Sequence, residues 1–406
     1  MAGRLAKRKL LNVALLIETT RAYGREVLRG IGQYARVHGP WLFYLPDRPV
    51  IDSIPTLEEW NGDGIIVQPH QNERFVKELA SCGKPVVSLS GPPGAGGLPT
   101  VIANQSAVVE QAITHFRERG FTRFAYCGSS SERIWPPTGE LFRKAAESQG
   151  QPCELYLPGY NPELRTLRLA HIGSWLKSLR KPTALLAYND LRAREVLDAC
   201  QLVGVRVPEE IAVLGVSNDD LICDLSNPPL SSVIHNARRI GYEAAAMLER
   251  ILRHEKGPTL VEVEPLGVKT RQSTDLLAIE DPEIATALRF IRENACSGIR
   301  VEDILEEVAM SRRALEIRFR EAVGRAPHTE IRRVQLERVK ELLATTDYKL
   351  ERISEMAGFS TAQYLAGLFH RVTGMTPGEY RRRARSGASD PRGHIERITP
   401  PKVSRK

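Results

Sequence analysis

Residues 350–383 constrain the chain more than any other stretch. Leu350, Ile353, Met356 and Ala357 recur at helical spacing, and Gly358 follows. At that place a left-handed residue ends a helix without Cβ strain. Ser360 or Thr361 then stands where a side-chain oxygen can cap a second helix. Tyr364, Leu365, Leu368, Phe369 and Val372 form one apolar stripe along it, and Gly374 and Pro377 end it. Two helices joined by a tight glycine turn make a helix-turn-helix, whose second helix can enter the DNA major groove.

An earlier stretch repeats the pattern. Asp281 before Pro282 opens a helix, with Asp as N-cap and Pro at the first position. Val301, Ile304, Leu305 and Val308 make a stripe, and Ala309-Met310-Ser311 is the turn. Leu315, Phe319 and Val323 then point inward, while Arg312, Arg313, Glu316, Ile317 and Arg320 occupy the opposite face. The spacing from Ser311 to Ser360 is 49 residues, which predicts a tandem module with helix-turn-helix units at 301–323 and 350–373. Residues 327–344 read as one connecting helix of about 27 Å, a rod that could hold two recognition helices one DNA turn, about 34 Å, apart.

Gly358-Phe359-Ser360, Tyr364, Phe369 and the run Gly374-Met375-Thr376-Pro377-Gly378-Glu379-Tyr380-Arg381 resemble the signature of the AraC family of transcription regulators. The resemblance implies an AraC-type DNA-binding domain over 282–384 and a double-stranded DNA operator as partner. It also implies base-reading positions at Arg313, Glu316 and Ile317 in the first unit, and at Ala362, Gln363, Ala366 and Gly367 in the second. Arg312, Arg320 and Thr361 lie beside them. Arg suits guanine, Gln suits adenine, and Ala can meet a thymine methyl. Charge agrees with this placement. Residues 281–406 hold 24 Lys+Arg against 18 Asp+Glu, so +6 of the net +8 sits there.

From residue 10 to 267 the chain alternates short apolar runs with helical patterns. Strands are expected near 10–17, 41–45, 64–68, 85–89, 101–103, 123–127, 154–157, 184–188, 211–216 and 232–234. Such alternation argues an α/β architecture with parallel sheets. The strands are too many for one small sheet, so two lobes with a cleft are expected. Ligands in such sheets sit outside the carboxyl ends of the strands.

Four strand ends carry a second resemblance: Ile17 to Tyr23, Ala187 to Ala193, Leu214 to Asp220, and Pro228-Pro229-Leu230-Ser231-Ser232-Val233. Together they resemble the sugar-sensing domain of LacI-type repressors, with a two-lobed periplasmic-binding-protein-like fold. This domain is expected over 10–270, with a basic tail at 1–9 before it. A linker at 271–281 follows it, and a disordered tail closes the chain at 385–406. The order of the two domains is similar to that of the XylR-like family of xylose regulators. Carried over, the resemblance implies ligand contacts from Asn189, Asp190, Ser217 and Asn218 in one lobe, Glu18 and Thr19 in the other, and Trp135 stacking on a sugar ring. Ser217 stands where the family usually has Asp, and Thr138 where it often has Arg, so a non-pentose effector stays open. The implied partners are a xylose-like sugar, a second copy of the chain and, for an activator, RNA polymerase.

No catalytic set emerges. The glycines of 91–97 lead into Leu98-Pro99 and a strand, not into the helix N-terminus a phosphate loop needs. Ser129-Ser130-Ser131 is no nucleophile elbow, and the nine histidines show no metal-binding pair. The six cysteines are scattered, as in a reducing, cytoplasmic setting. No cofactor or metal is expected, and no run of eighteen apolar residues spans a membrane. A soluble sugar-binding or sugar-modifying protein is the remaining alternative.

Overall fold

β1 (Leu11–Leu16) shows why the first sheet lies inside the protein. Val13 and Leu15 pack into one cluster, and Ala14 and Leu16 into another on the other side. A strand buried on both faces reads as continuous apolar sequence, the mark of a parallel sheet covered by helices. The computed structural model describes residues 10–46, 61–68, 73–91, 97–129, 137–158, 165–275 and 281–385. Two units divide the chain between Ala278 and Ile279. Trp135, the expected tail at 1–9 and all of the expected tail at 385–406 but Arg385, which ends the last helix, lie outside the described residues.

In the first unit β1 is followed by α1 (Ala22–His38), β2 (Trp41–Tyr44), β3 (Gly64–Val67), α2 (Glu73–Ser81), β4 (Val86–Ser88) and β5 (Thr100–Ala103). The chain then enters a second lobe: α3 (Gln105–Arg117), β6 (Phe124–Cys127), α4 (Thr138–Glu147), β7 (Cys153–Tyr156) and α5 (Arg165–Ser178). It continues through β8 (Thr183–Ala187), α6 (Asp190–Val203), β9 (Ile211–Val216), α7 (Asp220–Leu225) and β10 (Ser231–Ile234). It returns to the first lobe with α8 (Ala237–Leu252) and β11 (Leu260–Val263), and ends in the second with β12 (Gly267–Lys269). The sheets run β11-β5-β4-β3-β1-β2 and β12-β10-β9-β8-β6-β7.

Three details of the strands and the exit segment differ from the sequence reading. β11 and β12 were not expected: both are short and bounded by Pro or Gly, and β11 is half-exposed at a sheet edge. β12 pairs antiparallel with β10, Val233 opposite Val268, so the second sheet is mixed. Residues 271–275, expected to begin the linker, are built into the second lobe. Gln272–Thr274 form a 3-10 turn, and the Ser273 and Thr274 side chains are fully buried. They are drawn inward because each hydroxyl meets a polar group of that lobe: Ser273 Oγ donates to Val213 O, and Thr274 Oγ1 to Ser231 Oγ.

The second unit is helical: α9 (Pro282–Asn294), α10 (Val301–Glu307), α11 (Arg312–Val323), α12 (Pro327–Thr345), α13 (Leu350–Met356), α14 (Ala362–Thr373) and α15 (Pro377–Arg385). Asp281 caps α9, accepting from the Glu283 and Ile284 amides, with Pro282 at the first position. Two similar small cores form, one around Leu315 and Phe319 and one around Leu365 and Phe369, all four fully buried. The predicted stripe of α14 is narrower than its sequence implied. Tyr364 is 47% and Val372 50% exposed, because the inward face needs only the i, i+4 pair. Tyr364 instead lies beside Phe359 and under the Arg332 guanidinium, 5.1 Å from its ring centre.

The two helix-turn-helix units are joined by a buried side chain. Gln335 of α12 is 1% exposed, and its Nε2 donates to Ala295 O at 2.8 Å and Gly358 O at 3.0 Å. Gly358, at φ +73°, lies so close to the 295–298 turn that a Cβ there would stand 2.7 Å from Cys296 O.

Candidate ligand cleft and nucleic-acid interface

The carboxyl ends of β1, β9 and β10 converge at the crossovers between the lobes. The β9 end is a strained loop. Ser217 has φ 109° and Asn218 φ 53°, both positive in non-glycine residues. Such backbone costs on the order of 1–3 kcal/mol and persists where surrounding bonds over-determine it. Here three successive amides are held: Ser217 N donates to Val233 O (2.9 Å), Asn218 N to Ser232 Oγ (2.9 Å) and Asp219 N to Asp190 Oδ2 (2.7 Å).

Asp190 organises this loop. It is 2% exposed at the start of α6, and its Oδ1 accepts from Ser232 Oγ at 2.6 Å. Gly215 leaves the space it needs, since a Cβ there would stand 2.3 Å from Asp190 Oδ1. Burial pushes its carboxyl up to about 7, against the two bonds donated to it. Both oxygens are therefore committed to protein donors, and Asp190 acts as a loop anchor. Asn189 beside it is the N-cap of α6, its Oδ1 accepting from Arg192 N at 2.9 Å.

Asp219 reaches across to the first lobe. Its Oδ2 accepts from the Ala22 amide at 2.8 Å, at the first turn of α1, where Arg21 supplies no side-chain cap. Glu18 accepts from the Thr20 hydroxyl and lies 3.8 Å from Arg21. Arg25 holds the Thr19 and Thr20 carbonyls at 3.0 and 2.9 Å, which leaves the exposed Thr19 side chain at the rim. The structure thus brings Glu18, Thr19, Asp190, Ser217 and Asn218 to one edge. Thr138 is buried elsewhere, donating to Gln105 Oε1 at 3.1 Å.

Two more polar groups belong to this edge. His235 directly follows β10. Its Nδ1 is 3.5 Å from Ser217 Oγ, and Tyr23 meets its ring edge-on at 5.8 Å. Its Nε2 is buried without a hydrogen-bond partner among the described residues, and burial pushes the imidazole down to about 4, so the ring is neutral. Gln68 directly follows β3, and its Oε1 is likewise buried without a described partner. Sequence reasoning missed Asp219, His235 and Gln68. The available signal was position: each is within a few residues of a buried strand's carboxyl end.

In the helical unit Ser311 caps α11 through Ala314 N, and Thr361 caps α14 through Tyr364 N. The cap is Thr361 and not Ser360, so the true repeat is 361 − 311 = 50 residues. Arg312 pairs with Glu302 and lies 3.5 Å from Glu316, so these charges partly satisfy one another. Arg313 and Arg320 are exposed and make no ion pair among the described residues, and Ile317 is exposed beside them. On α14, Gln363 and Gly367 are exposed and Ala362 and Ala366 half-buried.

Among the described residues no three His, Cys, Asp or Glu side chains gather to hold a metal ion. No described helix is long and apolar enough to cross a membrane.

Known proteins share this organisation. Family models match residues 12–93 (XylR N-terminal domain), 113–274 (periplasmic binding protein-like domain) and 304–383 (helix-turn-helix domain). The xylose operon regulatory protein of Escherichia coli strain K12 is 33% identical over 386 residues, covering 91% of this chain and 96% of that protein. The Haemophilus influenzae protein of the same name is 32% identical, covering 91% and 97%. A solved structure of the xylose-binding transcription activator xylR aligns with TM-score 0.76 at 31% identity, over 93% of this chain and 99% of that one.

Proposed function

The chain belongs to the family of xylose operon regulatory proteins, and from that premise we propose that it senses a pentose of the xylose type and activates sugar-catabolism genes. It is a sugar-responsive, DNA-binding transcription regulator and not an enzyme. The observation that carries the sugar reading is the strained, fully anchored loop Ser217–Asp219 at the edge shared by both lobes. A sugar hydroxyl both donates and accepts. Ser217, Asn218, Glu18 and Thr19 offer it matching groups, and the unsatisfied His235 Nε2 and Gln68 Oε1 gain a partner on binding. Asp190 acts mainly by holding the loop and Asn189 by capping α6, and Trp135 remains the proposed stacking platform.

The protein works in the cytoplasm as a homodimer. Leu202 on α6 and Leu221 and Leu225 on α7 are exposed apolar side chains of the ligand domain. Two tandem modules per dimer then meet the operator and, for an activator, RNA polymerase. Arg313 and Arg320 read bases or phosphates from α11, with Arg312, Glu316 and Ile317 beside them. Thr361, Ala362, Gln363, Ala366 and Gly367 present the shallower surface of α14.

Thermal unfolding against pentoses, hexoses and their acids tests the effector. D-xylose should raise the midpoint with concentration, as any ligand of the folded form does. A second reading, a non-pentose effector, draws on Ser217 and on Thr138, which is turned to Gln105. A shift with a hexose or sugar acid and none with D-xylose would select it, and no shift with any sugar would sink both.

A further inference from the structure

The segment that leaves the ligand domain is fastened to the cleft loop by one side chain. Arg271 opens that segment, four positions before Asp275, where the described stretch ends, and ten before Asp281. Its side chain is only 10% exposed. Its guanidinium donates to Asn218 Oδ1 at 2.9 Å, Leu230 O at 2.8 Å and Asp220 Oδ1 at 3.0 Å, and its Nε lies 3.3 Å from Asp224 Oδ1. The Arg271 backbone is held equally firmly. Its N–H donates to Ser231 Oγ at 2.7 Å, and Ser231 Oγ donates to its carbonyl at 2.8 Å.

Beyond it the same strap is locked into the second lobe. Thr274 Oγ1 donates to Ser231 Oγ at 2.7 Å. His115 Nε2 therefore carries the proton it gives to Thr274 Oγ1 at 2.8 Å. Arg119 Nε donates to Thr274 O at 2.9 Å. A satisfied network of this kind rigidifies the segment it holds. One of its ends is the Asn218 amide, in the loop whose backbone is strained, and the other is Asp275.

We propose that Arg271 is a positioning residue that couples the Ser217–Asp219 loop to the segment entering the DNA-binding unit. The inference rests on the sugar-responsive reading and adds to it the route of the signal. A hydroxyl that hydrogen-bonds the Asn218 amide competes with Arg271 for Oδ1, and Arg271 must follow the loop or lose that bond. Because its own N–H and C=O are tied to Ser231, either response is felt at 271–275. The state of the cleft is then biased against the state of the exit segment, which is the requirement for coupling two sites.

The test measures affinity of the full chain for a DNA fragment that it selects from random sequence, with and without saturating D-xylose or the panel sugar giving the largest melting shift. The ratio of the two affinities is the coupling factor, typically about 5- to 150-fold. In Arg271→Met the factor should fall to within about twofold of one, while affinity for random DNA stays within about twofold of wild type and sugar affinity is equal or tighter, the competitor for Asn218 Oδ1 being gone. Arg271→Lys keeps the charge facing Asp220 and Asp224 but cannot also span Asn218 and Leu230 O, so its factor should be intermediate. Should Arg271→Met fail to fold, Arg271→Lys decides. An unchanged factor in both variants overturns the relay. So does a fall in sugar affinity parallel to the fall in coupling, which marks Arg271 as a part of the fold alone. A wild-type protein whose DNA affinity ignores every sugar removes the regulator reading, and the relay with it.

Discussion

The second helices of the two helix-turn-helix units share their cap, core pair and stop, and differ across their outward faces. At an offset of 50 residues Ser311 and Thr361 cap the second helix, Leu315 and Leu365 with Phe319 and Phe369 fill the core, and Gly324 and Gly374 end it in the left-handed conformation. Pro327 and Pro377 each open the helix that follows. The outward positions diverge: Arg313, Glu316 and Ile317 on one side correspond to Gln363, Ala366 and Gly367 on the other. Caps, core pairs and glycine stops specify one supersecondary unit twice. The exposed positions are left to differ, and they make the first helix a long-reaching charged surface and the second a shallow one.

The comparison is broken most strongly in the core. Phe319→Ala and Phe369→Ala should each cost about 3–5 kcal/mol, seen in denaturant unfolding of the full chain. A large loss from one and tolerance of the other would mean that the halves are not equivalent. The surface contrast comes next. Arg313→Ala should weaken specific DNA binding by about 1–3 kcal/mol, and the corresponding Gln363→Ala by less. Equal losses on selected and random DNA would reduce Arg313 to a phosphate contact. The smallest effect sharpens the contrast at a single position. A Cβ on Gly367 meets nothing within 4 Å, so Gly367→Ala should stabilise the unit by about 0.5–1 kcal/mol through helix propensity alone. A lowered melting midpoint would contradict the open space around it.

Legibility follows the same division. Strands buried on both faces and helices with caps could be read from local pattern, because burial and capping act over a few residues. The edge strands Leu260–Val263 and Gly267–Lys269 and the six-residue helix Asp220–Leu225 could not, since pairing and packing rather than periodicity make them. The cleft was legible as a set of strand ends but not in its roles. Asp190 resembles a ligand carboxylate in sequence, and only the fold reveals that Asp219 N and Ser232 occupy both its oxygens. Asp219 joins Ala22 across 197 residues of chain, a distance over which no local pattern carries information. In α14 the sequence stripe included Tyr364 and Val372, which the Leu365–Phe369 pair makes unnecessary to the core.

Gln335 and Gly358 together make the DNA-binding unit a caliper of fixed opening. The amide that bonds Ala295 and Gly358 at once, and the turn with no room for a methyl group, leave little play between the halves. A caliper cannot be retuned by small steps. Where both halves grip one operator, contact patches that drift apart by a base pair require the DNA to bend or untwist, and the free energy of that deformation is charged to the DNA sequence. Selection on such operators therefore acts on the flexible steps between the contacts as well as on the contacts themselves.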